Sequence, residues 1–394
     1  MTSHTPDINK AEQVATSPRS AIIGPIAANI AFVMELTLVP LLLPAIQGQF
    51  GLSIGELAWV FNSYGIAVAV GVLVGGWCGD VFNTRKVFAY GVAFFAAGSL
   101  LVASADSFAM LIAGRALQGL GGGIFSPLVP LLLTRASPLR PGRALIFWGS
   151  IAGYVAALAP LFYGSFLVDY GWSNAFVFIA IIASISLVIL SGTPGADTSA
   201  SYFRAKNSYK ELLKAHRLWV TFLYVFCTYG CITYYLFRLP VWLSSSDVGA
   251  ASVGFALSVV WLTFSGLSTL LRNMVDRHHL RTIMAAAPFL IAAGFLLSYF
   301  SENLLLVIVS SVLVGSGLAC SNAPSTQLIL RLAPKGMSAV STSLDITFAR
   351  LGGIITVAAV ADMNFAYAAP VICVSCFIAA FCAMAAGKGL ATST

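Results

Sequence analysis

Twelve long apolar runs separated by short polar segments constrain the fold of this chain more than any other feature. A helix rises 1.5 Å per residue, so about 20 apolar residues cross the roughly 30 Å hydrocarbon core of a bilayer. Because 59% of the residues are hydrophobic and only 9% are charged, the chain has too little ionic surface for a soluble globule. We therefore expect an all-α membrane protein with about twelve transmembrane helices.

The predicted spans form two groups of six. In order they are Ala21–Ile46, Leu57–Gly79, Val87–Ser104, Phe108–Leu133, Ala144–Val168, Asn174–Gly192, Leu218–Leu243, Ser252–Leu271, Ile283–Phe300, Leu304–Leu330, Ser338–Val360 and Phe365–Gly387. Residues 193–217 contain Pro194, Gly195 and five basic residues, which is typical of a linker. The predicted domains are a disordered cytoplasmic tail (1–19), an N-terminal six-helix bundle (20–192), a cytoplasmic linker (193–217), a C-terminal six-helix bundle (218–387) and a cytoplasmic tail (388–394).

The basic residues predict an orientation in the membrane. Of the 21 Lys and Arg, Arg115, Arg238 and Arg350 lie inside predicted spans, and the other 18 fall on the side that carries both tails. Lys and Arg accumulate in cytoplasmic loops, so we expect both termini in the cytoplasm. The net charge of +7 then faces anionic lipid, and it indicates no nucleic-acid partner. No cleavable targeting segment is expected, because the first apolar run is too long for one.

The fourth predicted span carries an arginine in the string RALQGLGGG. At helical spacing Arg115, Gln118, Gly119 and Gly122 share one face. A guanidinium inside a bilayer costs from roughly 3 to more than 10 kcal/mol, so it normally faces a cavity or a partner charge. Two interpretations remain open: a functional site, or a structural arginine that ties helices together through backbone carbonyls.

Glu35 in the first span is the predicted partner of this arginine. It lies about 11 residues, or roughly 16 Å, from the outer end of its span, and Arg115 lies about 8 residues, or roughly 12 Å, from the outer end of the fourth. Burial disfavours an ionised carboxylate and a nearby guanidinium favours it, so the pair can switch protonation state as water access or substrate changes. The alternative is a permanently paired structural bridge.

The two halves repeat one another at an offset of 196 residues. Asp80 and Arg85 follow the second span, and Asp276 and Arg281 follow the eighth at the same separation. Glycines and a proline of the fourth span recur in the tenth near that offset. A duplicated unit of six helices explains these matches, and such repeats are common in secondary transporters.

Several of these segments resemble a known family. GWCGDVFNTRK, residues 76–86, resembles the signature loop of the major facilitator superfamily, with Asn83 where a glycine is usual. RALQGLGGG and MELTLVPLLLPAI resemble the fourth-span and first-span motifs of proton-coupled drug antiporters, the latter with Glu35 in place of aspartate. WVFNSYGIAVAVG and STSLDITFARLGG are similar to further spans of the fourteen-span branch. This chain departs from that branch in having about twelve spans and in its fifth-span motif, which reads APLFYGS.

The resemblance implies the major facilitator fold, with two six-helix bundles, and a conformational latch. In the family the loop aspartate, here Asp80, faces the N-terminal end of the eleventh helix, where the helix dipole stabilises a carboxylate. Arg85, Asp276 and Arg281 complete the predicted latch. A solvated loop carboxylate is the alternative for Asp80.

Polar groups inside the spans are candidates for substrate binding, because buried hydrogen-bonding groups need partners. Packing or interfacial anchoring is the alternative for each aromatic residue. Asp345, near the cytoplasmic end of the eleventh span, is either a further proton-coupling residue beside Glu35 and Arg115 or an interfacial one, and Arg238 is expected near the outer mouth. The candidate substrate-binding residues are Asn62, Tyr64, Gln118, Tyr154, Tyr229, Tyr234, Arg238, Asn322 and Arg350.

The sequence contains no Walker loop, metal-ligand cluster or Ser/His/Asp constellation, and the seven cysteines, mostly inside spans, indicate packing rather than disulfides or zinc. We therefore expect neither an enzyme nor a metal site, and no cofactor besides the proton gradient.

We predict a monomeric carrier of the bacterial inner membrane, with the lipid bilayer and a small-molecule substrate as partners, that exports an organic solute or drug in exchange for protons. A proton symporter or facilitator that imports a metabolite or siderophore-like anion is one alternative, favoured if Arg115, Arg238 and Arg350 bind a carboxylate-rich ligand. A non-transporting membrane receptor is the other.

Overall fold

The computed structural model describes residues 20–137, 141–191, 208–246, 248–275, 280–300, 303–334, 337–363 and 365–386. Within them, twelve helices are long and apolar enough to cross a membrane, which confirms the predicted all-α architecture. The predicted tails and residues 193–207 of the predicted linker lie outside the described residues. We number the spans 1 to 12 in chain order.

The helices of the N-terminal half form spans 1 to 6. Spans 1, 2, 3 and 6 are single helices, Ser20–Phe50, Ile54–Val81, Thr84–Ala103 and Trp172–Ser191. Span 4 consists of two helices, Phe108–Phe125 and Leu128–Ala136. Span 5 consists of the helix Pro141–Phe162, a π-helical turn at Tyr163–Leu167 and a 3₁₀ turn at Val168–Tyr170. In the other half, a short helix Ser208–Lys214 precedes spans 7 to 12, which are His216–Ser245, Ala250–Val275, Leu280–Phe300, Leu304–Leu332, Ser338–Val360 and Phe365–Ala386.

Short polar loops begin several of the helices. Ser53 and Glu56 form a capping box at span 2, in which the Ser53 amide donates to Glu56 Oε2 at 2.9 Å and the Glu56 amide donates to Ser53 Oγ at 3.3 Å. Asn83 accepts from the Lys86 amide at 3.1 Å and begins span 3 in the same manner. The polar residues between apolar runs therefore terminate one helix and start the next.

Some helix ends differ from the predicted ones. Span 1 continues four residues past Ile46, through a polar stretch that ends at Phe50, because a helix can leave the hydrocarbon without ending. Span 7 begins at His216, inside the predicted linker. Span 4 is interrupted before Leu128, where Pro127 has no amide to donate. In span 5 the π-helical turn follows Pro160, which likewise disturbs the helical hydrogen-bond pattern.

The twelve spans pack as two six-helix bundles. In the first bundle span 1 contacts spans 5 and 6, and span 4 contacts spans 2 and 3; in the second bundle span 7 contacts spans 11 and 12, and span 10 contacts spans 8 and 9. The bundles meet where span 2 packs on span 11, span 5 on span 8, and span 1 on span 7. An even number of spans places the start of span 1 and the end of span 12 on one side of the molecule. We call this side the terminus face and the opposite side the far face.

Glycines allow the closest of these approaches. A Cβ on Gly121 of span 4 would lie 2.3 Å from the Phe95 amide nitrogen of span 3, so no larger residue fits there. Between the bundles, a Cβ on Gly254 of span 8 would lie 2.4 Å from the Pro160 carbonyl oxygen of span 5. Spans 5 and 8 therefore touch backbone to backbone in their far-face halves.

Candidate functional site

A buried ion pair joins spans 1 and 4. Arg115 Nη1 lies 2.6 Å from Glu35 Oε1, and each side chain is only 1% exposed. The small residues of span 4 let the neighbouring helices approach closely enough to enclose the pair. Two charges removed from water are costly unless they pair with good geometry and further hydrogen bonds, so the surroundings of the pair decide its role.

The Arg115 guanidinium is held from three further directions. Arg115 Nη1 also donates to Gln118 Oε1 at 2.7 Å, and Arg115 Nε donates to the Val60 carbonyl of span 2 at 3.2 Å. The Tyr64 ring lies 4.4 Å from Arg115 Cζ, in cation–π geometry. Gln118 Nε2 in turn donates to Ser99 Oγ of span 3 at 2.9 Å. The arginine is thus fixed by spans 1 to 4.

The carboxylate of the same pair is only half satisfied. Glu35 Oε2 and the Tyr64 hydroxyl are both buried, and apart from each other neither has a hydrogen-bond partner among the described residues. The Tyr64 hydroxyl lies within electrostatic reach of Glu35, Arg115 and Arg350. A carboxylate can accept from several donors, so Glu35 retains unused capacity for a proton or a second donor.

A small cavity lies beside this pair at the contact between the bundles. It has a volume of about 60 Å³ and is lined by spans 1, 2, 4, 7 and 11. Its charged and polar lining residues are Glu35, Asn62, Tyr64, Arg115, Thr233 and Arg350. This polar space exceeds the roughly 15 Å³ that one water needs. We call it the small cavity.

A much larger cavity lies between spans 1, 5, 8 and 10, in the half of the molecule toward the terminus face. Its volume is about 890 Å³. Its polar and aromatic lining residues are Ser150, Tyr154, Trp261, Phe264, Ser265, Ser268, Thr269 and Gln327. None of the described residues that line it is charged. We call it the large cavity.

One residue borders both cavities. Leu36 of span 1 lines the small cavity and the large cavity, whereas its neighbour Glu35 lines only the small one. Leu36 has no polar group, so sequence reasoning did not select it. Its position makes it an apolar partition between the ion pair and the large cavity.

The structure distributes the predicted substrate-binding residues of the N-terminal bundle over different sites. Tyr154 is 68% exposed and lines the large cavity. Tyr64 and Asn62 line the small cavity, and Asn62 Nδ2 donates to the Ile354 carbonyl of span 11 at 3.1 Å. Gln118 is fully buried in the Arg115 network. Only Tyr154 of these four borders the large cavity.

In the C-terminal bundle, Arg350 faces the small cavity, and no described residue forms a hydrogen bond or ion pair with it. Asp345, on the same helix, is 8% exposed and accepts from Thr326 Oγ1 at 2.9 Å. Tyr229 lies within electrostatic reach of both Asp345 and Arg350. These residues extend the polar region across the contact between the bundles.

Like Gln118 and Tyr229, three further predicted residues line neither cavity. Tyr234 is buried and stacks on Phe295 with ring centroids 6.0 Å apart. Arg238 borders a separate pocket of about 10 Å³. Asn322 is half-buried and lines neither cavity, although its neighbour Ala323 lines the large one. Arg238 is therefore separate from the small cavity, which both Arg115 and Arg350 line.

The predicted latch is described only in part. Asp80 lies in the last turn of span 2, and its side chain and all of Asp276 lie outside the described residues. One turn earlier, a Cβ on Gly76 would lie 4.0 Å from Ser343 Oγ near the start of span 11. Arg85 donates to the Leu190 carbonyl at the end of span 6, and Arg281 is exposed at the start of span 9. The latch role of these four residues remains a prediction.

A second buried network had no counterpart in the sequence predictions. Tyr235 of span 7 lies with its hydroxyl 2.9 Å from Ser310 Oγ and 3.2 Å from Ser311 Oγ of span 10. Ser310 Oγ lies 2.6 Å from Ser298 Oγ of span 9. Serines in apolar runs resemble packing residues. The internal repeat was the available signal, because the 196-residue offset matches Ser311 to Arg115.

Comparison with known proteins places these features in a family. The family model described as Major Facilitator Superfamily matches residues 26–357. The chain belongs to the Major Facilitator Superfamily, and with its twelve spans it is a multi-pass integral membrane protein.

Among curated proteins, three similar relatives carry names that refer to resistance or export. The chain is 30% identical over 185 residues to the tetracenomycin C resistance and export protein of Streptomyces glaucescens, covering 45% of this chain and 34% of that protein. It is 31% identical over 171 residues to the multidrug resistance protein B homolog of Mycobacterium tuberculosis (42% and 31%). It is 33% identical over 157 residues to the cephamycin export protein CmcT of Amycolatopsis lactamdurans (39% and 32%). The aligned part thus spans about a third of each relative.

Solved structures share the fold over nearly the whole chain. The nucleoside transporter NupG superposes with a TM-score of 0.77 at 12% identity, covering 94% of this chain and 99% of that one. The D-xylose–proton symporter superposes with a TM-score of 0.76 at 14% identity, covering 94% and 98%. At these identities the likeness establishes the arrangement of helices and nothing about the solute.

Proposed function

We propose that this protein is a secondary transporter that exports a small, uncharged organic solute in exchange for protons, by alternating access between its two bundles. The observation that carries the proposal is the Glu35–Arg115 pair, a titratable group buried where the bundles meet. Export is supported by the names of the resistance and export relatives. We place the protein in a bacterial inner membrane as a monomer with both termini in the cytoplasm.

Glu35 is the proposed proton-binding group. Its ionised form is stabilised by Arg115, while burial in a poorly polarisable surrounding opposes that charge. When Glu35 binds a proton, Arg115 keeps its bonds to Gln118 and Val60, so the guanidinium is not left without partners. This arrangement permits proton exchange at Glu35 without unfolding, and the proton gradient is the only energy source that it requires. Asp345 is a second proposed proton-coupling residue.

The large cavity is the proposed solute site. Its volume of about 890 Å³ falls within the roughly 300 to 1,000 Å³ of small-molecule pockets. Transfer of an unpaired charge into such a lining is strongly unfavourable, and none of the described lining residues carries a charge that could compensate it. Hydroxyl groups and Gln327 can instead accept or donate a few hydrogen bonds, while Trp261 and Phe264 supply apolar surface. A neutral, partly aromatic solute fits this chemistry.

The packing of spans 5 and 8 supports a state with access from the terminus face. These spans touch backbone to backbone through Gly164 and Gly254 in their far-face halves. In the other half the large cavity lies beside their contact, where a Cβ on Gly153 would lie 3.0 Å from Ser265 Oγ. With the terminus face in the cytoplasm, as the basic residues predict, this state receives solute from the cytoplasm. Closure of the large cavity and separation at Gly164 and Gly254 would then release it on the other side.

A vesicle assay tests both direction and coupling. Inside-out vesicles with an acidified lumen should accumulate a neutral fluorescent solute, and dissipating the proton gradient should abolish the accumulation. Size-matched cationic and anionic dyes should be transported less, because the large cavity offers no counter-charge.

Two outcomes would contradict the proposal. Accumulation by right-side-out vesicles with acid outside would identify a proton symporter. Preferred transport of the anionic dye would support the importer of acidic metabolites instead, and would place the solute near Arg350 rather than in the large cavity.

A further inference from the structure

The small cavity brings ionisable groups of both bundles together. Glu35, Tyr64 and Arg115 reach it from spans 1, 2 and 4 of the N-terminal bundle, and Arg350 reaches it from span 11 of the C-terminal bundle. Span 7 contributes only uncharged residues, Thr233 and Leu236. Arg350 is therefore the single charged side chain that the described part of the C-terminal bundle presents to this cavity.

Both Arg350 and Glu35 have unused hydrogen-bonding capacity. Arg350 is half-buried and forms no hydrogen bond with a described residue, although a guanidinium carries five donors. Glu35 uses Oε1 toward Arg115, and Oε2 has no partner among the described residues apart from the Tyr64 hydroxyl. The Tyr64 hydroxyl, within electrostatic reach of Glu35 and both arginines, lies in the same polar space. A carboxylate with spare acceptor capacity and a guanidinium with unused donors thus border one cavity of about 60 Å³.

We infer that Arg350 is the positioning residue through which the C-terminal bundle responds to protonation of Glu35 in the N-terminal bundle. While Glu35 is ionised, its attraction for Arg350 holds span 11 against spans 1 and 2 around the small cavity. Protonation of Glu35 removes that attraction and leaves two guanidinium groups in the same cavity, which favours separation of the spans. This inference rests on the proposed function only in taking Glu35 as the proton-binding group.

Asp345 is the competing partner for Arg350. It lies five residues earlier on span 11, and Tyr229 is within electrostatic reach of both. However, Asp345 accepts a hydrogen bond from Thr326 of span 10, and it does not line the small cavity. An Arg350–Asp345 pair would also lie within one helix, so it would not join the two bundles.

The test measures the distance between the bundles without any solute. Nitroxide labels on non-canonical amino acids at Ser104 and Ser245, both exposed near the far face, report the separation in acidic and in alkaline buffer. In the unmodified protein, the ratio of short to long distances should rise at least about fivefold from acid to alkaline buffer, as expected for an ordinary coupling between two sites. Because no solute is present, a role of Arg350 in substrate binding cannot produce this shift.

Variants show which residues cause the pH-dependent shift in distance. Glu35→Gln should abolish it, Arg350→Gln should abolish it although Glu35 is intact, and the double variant should match either single one. Arg350→Lys, which keeps the charge but loses the planar fork, should retain a smaller shift. Arg350→Met provides a second neutral variant if Arg350→Gln does not fold, with folding judged by monodisperse elution in detergent.

The outcomes separate this inference from the proposed function. A full shift in both neutral Arg350 variants, with loss of the shift in Glu35→Gln, overturns the role of Arg350 and leaves the proton site intact. A full shift in Glu35→Gln removes Glu35 as the proton site, and the inference with it. Loss of the shift in Asp345→Asn together with an unchanged shift in Glu35→Gln would assign Arg350 to Asp345 instead.

Discussion

The two bundles place polar networks at equivalent positions but build them from different chemistry. In the N-terminal bundle, spans 1, 3 and 4 are joined by a charged network of Glu35, Arg115, Gln118 and Ser99. In the C-terminal bundle, spans 7, 9 and 10 are joined by uncharged groups: the hydroxyls of Tyr235, Ser298, Ser310 and Ser311, and the Gly294 carbonyl, to which Ser310 Oγ donates at 2.7 Å. At the 196-residue offset, Arg115 corresponds to Ser311 and Glu35 corresponds to Cys231.

Helix packing alone therefore does not require an ion pair at this position. In the C-terminal bundle, a hydroxyl network joins the three equivalent helices without the desolvation cost of buried charges. This network has no group that changes charge at physiological pH. The charged network carries a cost that packing does not justify, so we attribute it to function. We therefore propose titration at Glu35 in the N-terminal bundle. Span 11 of the C-terminal bundle contributes two ionisable side chains, the half-buried Arg350 and the buried Asp345.

Among the variants that test the difference between the two networks, Arg115→Ala should have the largest effect on stability and transport. Removing one partner of a buried pair leaves Glu35 without a counter-charge, which costs about 3 to 5 kcal/mol in proteins. We expect a strongly lowered apparent melting temperature in detergent and loss of transport. Arg115→Lys should be milder, since it restores the charge without the bond geometry that reaches Glu35, Gln118 and Val60.

Ser311→Ala is the matched change in the other bundle. It removes one hydroxyl contact at 3.2 Å, while Tyr235 keeps its partner Ser310, so its cost should be about 1 kcal/mol or less. Equal destabilisation by Arg115→Ala and Ser311→Ala would show that the two networks serve the same structural purpose, and the comparison would fail.

The second prediction isolates titration from packing. Glu35→Gln preserves side-chain volume and can still accept from Arg115, but it cannot release a proton. Transport down a solute gradient should persist, whereas acceleration by a proton gradient should disappear. Glu56→Gln is the control, because Glu56 is exposed and a glutamine also supports its capping box. Proton-driven accumulation at the normal rate by Glu35→Gln would exclude Glu35 as the coupling group.

The sequence was sufficient to predict the spans and the meeting of Glu35 with Arg115. Each of these follows from a local property: apolar length predicts a span, and distance from a span end predicts depth. The grouping of the spans into two bundles of six was predicted from the family resemblance and from the 196-residue repeat.

Contacts between the bundles could not be predicted in this manner. Arg350 and Glu35 border one cavity because span 11 packs beside span 2, and no periodicity within either helix encodes that packing. The sequence shows Leu36 only as one apolar residue among many, and its position between two cavities is visible only in the structure. The π-helical turn at Tyr163–Leu167 lies in the altered fifth-span motif, where Pro160 indicated a disturbance but not its form.

A smaller effect is expected from opening the partition between the cavities. Leu36→Ala removes apolar bulk that separates the small cavity from the large one. Water should then reach Glu35 from the terminus side, so proton flux without solute should rise in liposomes that carry a pH-sensitive dye. Val33→Ala is the matched control, because Val33 is on the same helix and lines only the large cavity. An equal leak in both variants would mean that general loosening of span 1, and not the partition, is responsible.

The smallest effect should come from Tyr235→Phe, the change that tests the hydroxyl network most directly. The phenylalanine keeps the aromatic contact with Phe295, whose ring centroid lies 5.4 Å away, and loses only the contacts to Ser310 and Ser311. Hydrogen bonds between membrane helices contribute about 0.6 kcal/mol on average, so the apparent melting temperature should fall slightly. Proton-driven transport should stay within about twofold of the unmodified protein, which corresponds to less than 0.5 kcal/mol.

If Tyr235→Phe instead abolished the response to the proton gradient, the hydroxyl network would be part of the coupling pathway. Titration at Glu35 would then be transmitted through both bundles, and the assignment of a purely structural role to the second network would be wrong.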